Sequence, residues 1–209
     1  GTAPSVKIVG NYAYIADGNS GLAIIDITDP TNLVGPGGGI TPVYKPTSGT
    51  AYGIDVVGSY AYVADGPAGL AIINISDPTN PVITAYKDTN GSAREVKING
   101  SHAYIADGNS GLAIIDISNP ASPGAPSYTA TGGWANEIDI NGSHAYVGNG
   151  TPDGLAIIDI SNPASPGTPV KQNTTGYGYG VSVVGNYAYL ADGNQGLAII
   201  DISNPASPS

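Results

Sequence analysis

The sequence predicts an all-β fold, a five-bladed β-propeller of about 42 residues per blade. Three observations carry this reading. The dipeptide Ala-Tyr recurs with its tyrosine at 14, 62, 104, 146 and 189, at spacings of 48, 42, 42 and 43 that tile the 209 residues. A period of about 40–45 residues is that of propeller blades. Glycine (31) and proline (17) punctuate the chain so densely that no stretch free of both exceeds the nine residues Val82–Asn90. Ordinary helices average about 11–12 residues, so a helical domain is excluded. The large apolar residues are Val, Ile and Tyr, while Phe and Met are absent, a composition that favours strands. Residues 1–209 read as one propeller domain.

Each unit resolves into four antiparallel strands. The first is short, as in Val6–Val9 and Ile54–Val57, and ends at a glycine. The second is represented by Tyr12–Asp17. The third, Leu22–Thr28, is apolar at consecutive positions, as a sheet covered on both faces requires. The fourth is polar: Val43–Pro46, Val82–Thr89, Ser127–Thr131 and Val170–Thr174. It carries Lys45, Lys87 and Lys171, and lysine on an outermost strand deters edge-to-edge pairing. The Asp-Gly turns after the second strand supply the positive φ of tight turns, and the Asn-Pro segments end the third. Asp17, Asp65, Asp107 and Asp192, with Asn149 in the fourth unit, read as acceptors for loop amides. The first unit carries six extra residues, placed in Leu33–Thr41.

The strands do not come out even. There are five first, second and third strands but four fourth strands, so the last blade lacks its outer strand. Its third strand, with Leu197, Ile199, Ile200 and Ile202, is then an apolar edge without a lysine guard. The natural chain continues past Ser209 with the missing strand, a neighbouring molecule covers the edge, or the final blade is simply three-stranded; self-association through blade five is expected.

The stretches AYIADGNSGLAIIDIS from Ala103, YAYVADGPAGLAIINIS from Tyr60 and YAYLADGNQGLAIIDIS from Tyr187 resemble the LVIVD repeat of bacterial and archaeal, mostly exported, propeller proteins. The resemblance covers all five units and implies the propeller fold, but no particular activity. Alanine follows Gly-Leu where such repeats often carry arginine, which removes a ring of positive charge.

Six basic against sixteen acidic residues give a net charge of −10, which argues against nucleic acid or anionic lipid as partners. No run approaches the roughly 18 apolar residues of a membrane span, so membrane insertion is not expected. Without cysteine there is neither a disulfide nor a thiolate metal site. A chain that begins at Gly1 and contains no methionine reads as a processed or excised product. His102 and His144 occupy the position of Tyr12, Tyr60 and Tyr187 in other units and read as packing residues rather than metal ligands. No metal and no cofactor is expected. Lys7, Asp55, Lys97, Asp139 and Ser182 occupy one position of the first strand and should form a charge-balanced ring of alternating lysine and aspartate. Neighbouring lysines make Asp55 and Asp139 poor acids, leaving Glu95 and Glu137 as carboxyls for acid chemistry.

Against nearly copied turns and strands, the segments that enter the first strand vary. They bring Tyr52, Arg94, Glu95, Trp134, Asn136, Glu137, Tyr177 and Tyr179 to one mouth of the channel, which makes these the candidate ligand-binding residues. Aromatic planes with convergent polar groups suit a sugar or a peptide. Of the Asn-x-Ser/Thr sequons, those at Asn90, Asn99, Asn141, Asn149 and Asn173 should be accessible to glycosylation, whereas Asn74 lies inside a strand. No nucleophile–base pair is visible, and no catalytic residue is assigned. The expected function is that of an exported, extracellular or cell-surface, non-enzymatic module for interaction, adhesion or assembly, with a protein or glycan at the mouth. The alternative is a carbohydrate-binding module or glycosidase at that mouth.

Overall fold

A computed structural model describes residues 3–31, 42–150 and 153–209. The insertion expected in 33–41 lies outside these residues. The rest folds into five antiparallel sheets in chain order. Blade one is β1 (Ser5–Val9), β2 (Tyr12–Ala16), β3 (Leu22–Asp26) and β4 (Val43–Lys45). Blade two is β5 (Gly53–Val57), β6 (Tyr60–Ala64), β7 (Leu70–Asn74) and β8 (Val82–Lys87). Blade three is β9 (Glu95–Asn99), β10 (His102–Ala106), β11 (Leu112–Asp116) and β12 (Ser127–Thr129). Blade four is β13 (Ala135–Asn141), β14 (His144–Asn149), β15 (Gly154–Asp159) and β16 (Val170–Gln172). Blade five is three-stranded: β17 (Val181–Val184), β18 (Tyr187–Ala191) and β19 (Leu197–Asp201).

The doubly apolar third strands are buried from both sides. In β7, Ala71 and Ile73 pack toward blade one, while Leu70 and Ile72 pack toward blade three. All four are fully buried. Burying one such Leu or Ile side chain stabilises by roughly 1.5–3 kcal/mol. Four clusters of this kind seal the junctions between blades one and two, two and three, three and four, and four and five. His102 and His144 tilt against Tyr104 and Tyr146 at ring separations of 6.4 and 6.5 Å, the contact that Tyr12 makes with Tyr14 at 6.3 Å. The histidines thus stand in the aromatic packing position.

The fourth strands end earlier than the sequence suggests, and the reason is a latch between blades. Thr47 and Thr89 leave the sheet and donate their hydroxyls to Asp65 and Asp107 of the next blade, at 2.6 and 2.7 Å. The Gly49 and Gly91 amides donate to the second oxygens of the same carboxylates, at 2.8 and 2.9 Å. Asn149 takes the hydroxyl of Thr131 at 2.9 Å, and Asp192 takes that of Thr174. The glycine of each Thr-x-Gly latch permits the approach: a Cβ on Gly91 would lie 2.1 Å from the carbonyl oxygen of Asp107.

Three expectations need correction. The first concerns the charged ring, which is not evenly alternating. Asp55 pairs with Lys7 at 2.8 Å and accepts the Ile98 amide, while Asp139 accepts the Val183 amide. Lys97 makes no ion pair among the described residues and instead acts on Glu95 and Glu137, where its charge opposes the rise in carboxyl pKa that burial causes. The second concerns Asn149, which is fully buried in its latch and is not an accessible sequon. Asn90, Asn99, Asn141 and Asn173 are exposed, and Asn74 is half-buried.

The third correction concerns blade five. β19 is the edge strand of the three-stranded sheet, as the sequence indicates, but the side chains of Ile200 and Ile202 are not exposed; both are buried in the junction with blade four. Ser209 already pairs with Asp201 through two backbone hydrogen bonds, as Gly124 bonds Asp116 where a fourth strand follows. What blade five exposes is the other face of its sheet, with Leu197 63% and Ile199 59% exposed. The first strands pack successively, β1 on β5, β5 on β9, β9 on β13 and β13 on β17, but β17 does not pack on β1 in this way. The five blades form an arc with an unsealed seam.

Candidate functional site

Two adjacent positions, repeated around the arc, build the mouth. The outer one holds Pro4, Tyr52, Arg94, Asn136 and Tyr179, and the inner one holds Ser5, Gly53, Glu95, Glu137 and Gly180. The outer residues extend the first strands by one rung. The Tyr52, Arg94 and Tyr179 amides donate to Ala64, Ala106 and Ala191 of their own blades at 2.8–2.9 Å. This hydrogen bonding holds three variable side chains on a rigid scaffold.

The structure brings six of the eight candidate residues to one cavity of about 220 Å³. Tyr52, Arg94, Glu95, Asn136, Glu137 and Tyr179 line it, together with Pro4 and Gly180. The Arg94 guanidinium lies 4.0 Å from the centre of the Tyr52 ring, a cation–π contact that holds both flat. The Asn136 amide donates to the Gly178 carbonyl at 2.8 Å and ties blade four to blade five at the rim. Tyr179 is 56% exposed and stacks obliquely on Tyr177, with ring centres 4.6 Å apart.

Trp134 and Tyr177 do not reach this cavity. They stand two residues before the outer position and lie over turn glycines of the preceding blade. Trp134 covers Gly108, and Tyr177 covers Gly150. Tyr177 lines a separate shallow cavity with Tyr179, Gly193 and Asn194. The expectation that all eight residues converge is therefore corrected to six.

The two glutamates define the electrostatics. Burial pushes the Glu95 carboxyl up to about 7, against opposing influences from Lys97 and the Val96 amide. Burial also raises Glu137, again opposed by Lys97. Glycines from neighbouring blades make room for both side chains. A Cβ on Gly53 would lie 2.9 Å from the Glu95 carboxyl carbon, and one on Gly180 would lie 2.8 Å from Glu137 Oε2. Gly180, which lines the cavity, is not among the residues singled out from sequence. Its signal is the inner position itself, where glutamate in two blades is flanked by glycine in the next ones.

The opposite end of the channel carries a cavity of about 320 Å³ lined by Asp55, Lys97, Asn99, Asp139 and Gly142. It has no aromatic wall, and its two aspartates already accept backbone amides within the fold. The aromatic mouth is therefore the better ligand site, although its volume is below the roughly 300–1,000 Å³ of drug-sized pockets. It suits one small ring or the end of a longer ligand. No group of three or more metal-ligating side chains occurs among the described residues.

Comparisons with known proteins bear on the fold. The LVIVD repeat profile matches residues 1–35, 48–89, 90–129, 132–174 and 175–209. Among curated proteins none matches the chain. The solved structures that it resembles include the β-propeller domain of Cps50 (Swd1) from Myceliophteria thermophila, at 12% identity and a TM-score of 0.73. That match covers 99% of this chain and 67% of the fungal one. A functionally unknown protein from Desulfotomaculum acetoxidans matches at 14% identity and a TM-score of 0.72, over 98% of this chain and 67% of that one. The computationally designed Ika8 protein matches at 5% identity and a TM-score of 0.67, over 93% of this chain. The chain spans 56% of the Ika8 length.

Proposed function

We propose that this chain, which belongs to the LVIVD-repeat family, is an extracellular or cell-surface interaction module whose propeller mouth binds a carbohydrate. The observation that carries the reading is the convergence of Tyr52, Arg94, Glu95, Asn136, Glu137 and Tyr179 on one cavity from four consecutive blades. Flat aromatic surfaces take the apolar face of a sugar ring, and surrounding carboxyl and amide groups take its hydroxyls. The charge-poor polar surface, with 11% charged residues and no cysteine, is compatible with an exported setting.

A glycan array tests this reading. The intact chain is expected to retain a small set of glycans. Tyr52→Ala and Tyr179→Ala are each expected to lose at least about tenfold in affinity, or roughly 1.4 kcal/mol, with melting temperatures close to that of the parent. Absence of glycan binding, or binding that survives both changes, would sink the proposal.

A second reading rests on one specific observation. A carboxyl whose pKa burial raises to about 7, beside a second carboxyl, is what a glycosidase needs as its general acid. In that reading Glu95 protonates the leaving oxygen and Glu137 acts as base or nucleophile. Hydrolysis of a retained glycan, abolished by Glu95→Gln while binding persists, would favour the enzyme over the binding module.

A further inference from the structure

The seam of the arc exposes two apolar sheet faces that are the two halves of a junction this chain builds elsewhere. On blade five, Tyr189, Leu197 and Ile199 stand where Tyr14, Leu22 and Ile24 stand on blade one. The latter three are buried against blade two. On blade one, Val6 and Ile8 stand where Ile54 and Val56 stand on blade two, and those are buried against blade one. At the seam the same positions are open: Leu197, Ile199, Val6 and Ile8 are 59–63% exposed. Among the described residues, no core cluster joins blade five to blade one.

The two faces are complementary because the chain already packs their equivalents together four times over. They do not pack on each other within one molecule. A chain with one free donor face and one free acceptor face of the same junction is built for head-to-tail contact, in which each copy offers a different surface. Contiguous apolar surface of this kind marks an interaction site.

We propose that the open face of blade five packs on the open face of blade one of a second copy of this chain, repeating between molecules the junction that links consecutive blades within one. The contact is heterologous and uses Leu197 and Ile199 on one side and Val6 and Ile8 on the other. It does not depend on the carbohydrate reading, because the seam and the glutamate cavity share none of these four residues.

The test uses two variants at exposed positions, Ile8→Asp and Ile199→Asp, with circular dichroism to verify that each folds. Light scattering of the parent chain is expected to give a mass that rises with concentration to a dimer or beyond. Each variant alone is expected to be monomeric. An equimolar mixture is expected to give a species of twice the chain mass, because each variant retains the face that the other has lost. A parent that stays monomeric at high concentration overturns the proposal, including the case in which hydrogen exchange shows both faces protected by closure within one chain. Variants that still associate alone, or folded variants that do not combine, overturn it equally.

Discussion

Asp107→Ala is expected to lower the melting temperature by about 5–10 °C, as a loss of about 2–4 kcal/mol would in a domain of this size. Asp107 is fully buried, and its two oxygens accept the Thr89 hydroxyl and the Gly91 amide from the preceding blade. Burial raises its carboxyl pKa, and these two donors oppose the rise. The variant leaves both donors facing a space that alanine cannot satisfy, and it opens the junction between blades two and three. Asp107→Asn should recover part of the loss: its amide oxygen can accept the Thr89 hydroxyl as Asn149 accepts that of Thr131 in blade four, but its NH2 group cannot accept the Gly91 amide. Asp17→Ala is expected to change little: the carboxylate is half-buried, and among the described residues no preceding blade latches onto it. Thermal melts of the three variants check the idea. Equal effects at Asp107 and Asp17 would show that the aspartates shape their own turns and do not join blades.

The second large effect is pH dependence through Glu95. Its carboxyl is raised from 4.5 to about 7, first because burial disfavours the charge and then because Glu137 and Asp55 repel it, with Lys97 and the Val96 amide opposing. Below about pH 4.5 the group is protonated in folded and unfolded chains alike, and its contribution to stability is fully present. As pH rises toward 7 the unfolded chain releases the proton while the folded chain holds it, so stability falls. The loss is on the order of 3 kcal/mol once pH exceeds the folded value. Glu137, also raised by burial, adds to the same trend. Asp26, Asp77, Asp116, Asp159 and Asp201, at the ends of strands or in turns, act oppositely. Hydrogen bonds from the residue two positions on hold their carboxyls below the usual value, so they favour folding above that value and lose this effect as acid protonates them. Stability should peak at mildly acid pH. Melting temperature measured from pH 4 to 8 is expected to fall along the upper limb, and Glu95→Gln is expected to flatten that limb and to melt higher than the parent at pH 8. A parent whose melting temperature rises from pH 5 to 8 would contradict the burial of this carboxyl.

The fold was legible because its junctions are written five times. Leu70 through Ile73 alternate between two packed faces, and a strand apolar at every position has few other places to go. The cavity was legible in part. Tyr52, Arg94, Asn136 and Tyr179 vary where the rest of the repeat does not, and their shared position placed them at one mouth. Trp134 misled because it stands two positions before that site, ahead of the strand, and its ring lies against Gly108. The burial of Asn149 was foreshadowed by its place among the latch aspartates, but the sequon pattern pointed outward. The open seam was not legible at all. Blade-to-blade rotation comes from the summed shape of many Ala, Val and Ile contacts, and no single residue type reports it. For the same reason the sequence shows that Ile200 and Ile202 lie on an edge strand but not that blade four covers their side chains.

The most direct test of the mouth as the binding site is amide hydrogen exchange with and without a glycan retained on the array. Protection is expected at residues 94–96, 136–138 and 179–181, which carry the cavity walls, with little change elsewhere. Protection confined to residues 97–100 and 140–142 would place the ligand at the opposite end of the channel and contradict the account.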